Sequence, residues 1–141
     1  MKPTLLLRIA SILTLLFALG HTAGGLSSWS PAGETEVLRA MKSFRFDAGG
    51  LNRSYLDFYL GFGLVISVYL FSQAIAFWQL ASLSKSDASR VRPIVGTFFL
   101  TSSVCAIVSW MFILLVPVAF FAGIATCLAL AFYAARSNQD A

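Results

Sequence analysis

The stretch PIVGTFFLTSSVCAIVSWMFILLVPVAFFAGIATCLALAFYAA, residues 93 to 135, carries no charged side chain over 43 positions. The hydrocarbon core of a bilayer is about 30 Å thick and is crossed by roughly 20 residues of helix at 1.5 Å each. This run is therefore too long for one crossing and fits two. Pro117, in Leu115-Val116-Pro117-Val118, lacks an N–H and has a φ suited to the first turn of a new helix. The run predicts two helices, about 93–115 and 117–135, joined by a very tight turn.

Working outward, Tyr55 to Leu83 is a second long apolar run, following Asn52-Arg53-Ser54, and Leu5 to Leu26 is a third, interrupted only by Arg8 and His21. Each is long enough to span. The expected fold is an all-α membrane protein: a four-transmembrane-helix antiparallel bundle, one integral membrane domain over residues 1–141, with helices at about 5–26, 55–83, 93–115 and 117–135. Composition agrees. Of 141 residues 58% are hydrophobic and 11% charged, and the mean hydropathy is +0.81. Soluble domains carry about 25% charge, so too few ionisable groups exist to cover a globule, and four crossings within 141 residues should leave no room among them for a soluble catalytic domain of ordinary size.

Ten Lys and Arg face six Asp and Glu, for a net charge of +4. Their placement sets the expected orientation. Lys2, Arg8, Lys85, Arg90, Arg92 and Arg136 share one side with Asp87 and Asp140. Arg39, Lys42, Arg45 and Arg53 share the other with Glu34, Glu36, Asp47 and Asp57. The basic side should be cytoplasmic, placing both termini and loop 84–92 inside and loop 27–54 outside. A rival reading makes the N-terminus a cleavable signal peptide, with Lys2, an apolar core Ile9 to Leu19 and an Ala18-Leu19-Gly20 cleavage site; it would leave three crossings. In the long loop, Ser30-Pro31 reads as a helix cap and first turn. Val37, Leu38, Met41 and Phe44 form the stripe of a short amphipathic helix, and Ala48-Gly49-Gly50 breaks the chain before the second span.

Few residues can carry chemistry. One histidine excludes metal or haem sites needing two, the carboxylates are too scattered for a di-metal cluster, and Cys105 and Cys127 lie in apolar segments without C-x-x-C spacing. No metal, no cofactor and no nucleic acid is expected. On the first helix Ser11, Thr14, Ala18, His21 and Gly25 share a face. An imidazole in a membrane helix must pair, face water or act. His21 lies roughly 25 Å along that helix, at the depth where Arg53, Tyr55, Asp57 and Tyr59 open the next, so these five are the ligand-binding candidates. Against that, Ser54-x-x-Asp57 fits a capping box, Tyr55 and Tyr59 fit an interfacial aromatic belt, and Arg53 can snorkel to headgroups. Deeper polar candidates are Tyr69, Gln73 and Trp78. Gly20, Gly24, Gly25, Gly61, Gly63 and Gly123 are candidates for close helix packing.

Gly20-His21-Thr22-Ala23-Gly24-Gly25, Leu38-Arg39-Ala40-Met41-Lys42-Ser43 and Arg53-Ser54-Tyr55-Leu56-Asp57-Phe58-Tyr59-Leu60-Gly61-Phe62-Gly63 together resemble an uncharacterised family of small bacterial four-helix inner-membrane proteins. The likeness covers most of residues 5 to 93, including Trp78-Gln79-Leu80 and Arg92-Pro93. It implies a bacterial inner-membrane location and four helices, and brings no activity. A quinone-linked thiol oxidoreductase would need paired cysteines and a small multidrug exporter a carboxylate on the first helix; both are missing.

The favoured functional reading is a non-catalytic protein that binds a lipid or apolar small molecule in a pocket near the outer leaflet. The alternatives are acid–base catalysis by His21 and Asp57 on a hydrophobic substrate, and a structural or assembly subunit acting through its small-residue faces on a second copy or a membrane partner.

Overall fold

The computed structural model describes residues 2–137, with side chains described to Ala135. Helix α1 is Pro3–Gly25, α2 Glu36–Ser43, α3 Tyr55–Leu83, α4 Ala88–Phe112 and α5 Leu115–Ser137; two short strands, β1 Arg45–Asp47 and β2 Asn52–Ser54, lie between α2 and α3. Among the described residues, α1, α3, α4 and the Leu115–Ala135 part of α5 are long and apolar enough to cross a membrane. In hydrocarbon a backbone N–H or C=O has no water to bond. Helices of this length satisfy those groups internally and leave only their ends to be capped.

The ends explain where the elements differ from the expected bounds. α4 begins at Ala88 rather than Pro93, because Asp87 caps it by accepting from the backbone N–H of Ser89 and Arg90. Pro93 then lies within the helix and leaves the Ser89 carbonyl without its usual intrahelical donor. α5 begins at Leu115, two residues before Pro117, so the α4–α5 connection is Ile113 and Leu114 alone. α2 starts at Glu36, capped by the Thr35 hydroxyl. Ser30-Pro31 instead opens a separate turn, closed by Gly33 N–H to Ser30 O at 3.2 Å and the Ser30 hydroxyl to Gly33 O at 2.7 Å. Of the expected α2 stripe, Leu38 and Met41 are half-buried while Val37 and Phe44 are exposed. The chain does not simply break at Ala48-Gly49-Gly50: β1 and β2 pair antiparallel in the register Arg45↔Ser54, Phe46↔Arg53, Asp47↔Asn52. Gly49 and Gly50 supply the positive φ values of the turn (66° and 85°), and the Asp47 carboxylate accepts from Gly50 N–H at 2.7 Å.

Two compact units divide the chain, one of the residues up to Phe17 with those from Leu70 on, the other Ala18–Tyr69. In the first, Leu6, Leu7, Ala10, Phe77, Ala81, Val91, Val95, Ile124 and Leu128 are among the residues of one buried core. Buried positions recur along α3 at alternating steps of four and three, Gly63, Ser67, Leu70, Ala74, Phe77 and Ala81, and Ser84 just past its end continues them. That is the seam of a helix packed along its length. Small side chains on it let backbones approach closely. Within the first unit Thr4 and Ser84 share a hydrogen bond at 2.9 Å, and the buried Ser11 hydroxyl donates to Ala74 O at 2.7 Å. An interhelical bond of this kind contributes roughly 0.6 kcal/mol in a membrane protein. Phe17 stacks on Phe120 at 5.0 Å and meets the edge of Phe121 at 5.1 Å.

The Ser89 hydroxyl (2.7 Å) and then the Arg90 backbone N–H hold the Asp87 carboxyl below its usual range. A carboxylate with a depressed folded pKa adds stability above its unfolded pKa of about 3.9 and loses it as pH falls through the folded value. Asp87→Ala is expected to lower the melting temperature at pH 7. Thermal melts repeated below pH 4 should show that gap to wild type narrowing.

Candidate functional site

The Gly25 end of α1 is closed by an unusual cap. Trp29 N–H bonds Gly24 O at 3.0 Å, and Ser28 N–H bonds Gly25 O at 3.0 Å, while Ser28 and Trp29 both take left-handed φ values, 54° and 48°. Glycine ordinarily fills such positions; for two side-chain-bearing residues the conformation costs roughly 1–2 kcal/mol each. The turn delivers the Trp29 indole into a notch of three glycines. A Cβ on Gly24 would lie 3.1 Å from the indole, a Cβ on Gly25 2.9 Å, and a Cβ on Gly63 would fall inside the ring's van der Waals envelope. The indole N–H donates to His21 O at 2.7 Å, and the Tyr59 hydroxyl donates to Trp29 O at 3.3 Å. The rings of His21 and Tyr59 lie 5.2 Å and 6.2 Å from the indole.

His21 itself is half-buried, and its Nδ1 lies 3.1 Å from the buried Ser67 hydroxyl. The Ser67 hydroxyl also reaches back to its own helix, where it donates to Gly63 O at 3.3 Å. Asp57 does different work. Its carboxylate accepts from Ser54 N–H at 2.7 Å, and Ser54 Oγ accepts from Asp57 N–H at 3.1 Å. This reciprocal capping box opens α3.

The five ligand candidates thus separate into three groups. His21 and Tyr59 join Trp29. Tyr55 enters an aromatic cluster, 5.6 Å from Phe44 and 4.9 Å from Phe46, which continues to Phe58 and Phe62. Arg53 and Asp57 border an open groove of about 520 Å³ whose remaining lining is Phe58, Leu60, Gly61, Phe62, Leu64 and Val65. A second hollow of about 300 Å³, lined by Arg45, Phe46, Asp47, Gly50 and Asn52, sits on the hairpin, where Arg45 already donates to Asn52 Oδ1 at 2.9 Å. Tyr69 is exposed, Gln73 half-buried, and the Trp78 ring lies under the Arg8 guanidinium. Of the candidate packing glycines, Gly24, Gly25 and Gly63 are filled by Trp29, Gly123 meets Leu13 at ordinary contact distance, and Gly20 and Gly61 face open space.

Trp29 is the residue that sequence reasoning missed. Its one signal was indirect: Trp29 follows Gly24 and Gly25 by five and four residues, close enough for a turn to lay its indole on them. Compared with family models, curated proteins and solved structures, the chain matches none.

Gly63→Ala is expected to destabilise the protein by about 1–3 kcal/mol through overpacking. Trp29→Ala should cost a similar amount or more. In the double variant the two losses should fall short of their sum, because the alanine then meets no indole; additive losses in denaturation measurements would contradict the notch.

Proposed function

We propose that this chain is a multi-pass protein of a bacterial inner membrane, an antiparallel bundle of four spans with both termini cytoplasmic and the α2 loop helix amphipathic. In this reading it binds a lipid or other apolar small molecule near the outer leaflet. The spans draw support from the four long apolar helices. The Thr4–Ser84 and Ser11–Ala74 pairings run in opposite order along α1 and α3, which supports the antiparallel arrangement. The resemblance to small four-helix inner-membrane proteins and the unequal distribution of Lys and Arg support the location and orientation.

The observation that carries the binding reading is the groove beside Arg53 and Asp57. Its wall is apolar apart from those two residues, the composition of a site that takes an apolar body and orients one polar end. Gly61 opens it, since no atom lies within 4 Å of where its Cβ would be. Acid–base catalysis by His21 and Asp57 draws less support, because the imidazole engages Ser67 and the carboxylate engages Ser54. The assembly reading rests on Trp110 to Val116, seven consecutive apolar residues exposed at the α4–α5 turn.

Gly61→Phe puts a ring on the groove from a Cβ that meets no atom within 4 Å, and removes a helix-interior glycine that costs roughly 0.5–1 kcal/mol relative to alanine. Mass spectrometry of hydrophobic molecules co-purifying with this variant should show loss of a species retained by wild type, at unchanged or raised melting temperature. His21→Ala should retain it. Equal retention in Gly61→Phe and wild type would remove the groove from consideration. A reporter fused after Ala141 should be active only in the cytoplasm.

A further inference from the structure

Two arginines stand apart from the site above. The Thr4–Ser84 hydrogen bond joins the start of α1 to the end of α3, and three residues after Ser84 the Asp87 cap opens α4. Arg8 and Arg92 each lie four residues, about 6 Å of helix, inward from that end, counted from Thr4 and Ala88. Both are half-buried. The Arg8 guanidinium lies 5.1 Å from the centre of the Trp78 ring, and that of Arg92 4.3 Å from the centre of Phe132. In both, Nε is buried and has no hydrogen-bond partner among the described residues. Neither arginine makes an ion pair there, while Asp87, the acid of the connecting segment, is bound to Arg90 at 2.8 Å.

A half-buried cation without an anion is an incomplete arrangement. The aromatic faces attract each cation less strongly than the water they replace. In each guanidinium Nε is the buried nitrogen without a partner among the described residues, which leaves the terminal nitrogens as the donors for a ligand, a fork of the kind that binds phosphate oxygens in pairs. In a chain that spans a bilayer, a residue one turn inside the end of helices of 23 and 25 residues lies just within the hydrocarbon edge, from which an arginine side chain reaches out to the lipid phosphates.

We propose that Arg8 and Arg92 are seats for the headgroup phosphate of an anionic phospholipid in the leaflet where α1 and α4 begin. The inference rests on the chain spanning a membrane and not on the outer groove, so Gly61→Phe leaves it untouched. A zwitterionic lipid fits less well, because its own ammonium competes for the phosphate and cancels the net charge that the two arginines attract.

The test is lipid binding by the full chain in neutral detergent, read as adducts by native mass spectrometry and as shifts in melting temperature. The probes are phosphatidylglycerol, phosphatidylcholine and inorganic phosphate. Wild type should prefer phosphatidylglycerol and gain nothing from inorganic phosphate at equal concentration. Arg8→Gln/Arg92→Gln should bind phosphatidylglycerol on the order of tenfold more weakly, whereas Arg39→Gln/Lys42→Gln should match wild type. Undiminished phosphatidylglycerol binding in the Arg8/Arg92 variant overturns the proposal. So does equal response of wild type to phosphatidylcholine, or a response to inorganic phosphate alone; these arms need only wild type and decide the matter even if the double variant does not fold.

Discussion

For four helices long and apolar enough to cross a membrane, water's absence from hydrocarbon is the constraint on which everything else here depends. Every backbone donor and acceptor placed there must be answered from within the chain, so the long helices are obligatory and the chemistry of the molecule is pushed to their ends. Each end has its own device. Asp87 caps α4, Ser54 and Asp57 cap α3 reciprocally, Thr35 caps α2, and a left-handed turn at Ser28 and Trp29 closes α1. Side-chain hydroxyls inside the helices mostly bond back to their own backbone, as Thr14 does to Ala10 O and Thr126 to Ala122 O.

That constraint also explains what could be read from the sequence. The two middle boundaries of α3, Tyr55 and Leu83, follow from the edges of its apolar run, and α3 has those bounds. Ser54-x-x-Asp57 is a local pattern, and the local geometry obeys it. α4 was less legible because its first five residues include Arg90 and Arg92, which an apolar window discards although Asp87 makes them helical. Pro117 marked a boundary two residues late, because proline is as acceptable at the third position of a first turn as at its first. The hairpin was invisible for a different reason: three-residue strands carry too little alternation to be told from loop.

The candidate site shows the harder limit. Counting depth along the helices sets His21 level with Asp57, yet His21 pairs with Ser67, ten residues and about 15 Å further along α3. Depth shifts with the way the chain between two helices is folded, and azimuth around each helix is fixed by partners far away in the chain. The seam residues Gly63 and Ser67 present one face of α3 to His21, whereas Arg53, Asp57 and Gly61 line the groove with Leu64 and Val65. Trp29 left only a faint trace, its nearness to Gly24 and Gly25 in the chain. Its placement needs two side-chain-bearing residues in a conformation that propensity assigns to glycine, held there by the fit of an indole to glycines on two separate helices.

That joint also has a direction in time. Trp29 precedes Gly63 by 34 residues, so in synthesis the indole is made before the third glycine of its notch. The end of α1 is thus completed by a helix that does not yet exist when α1 is made.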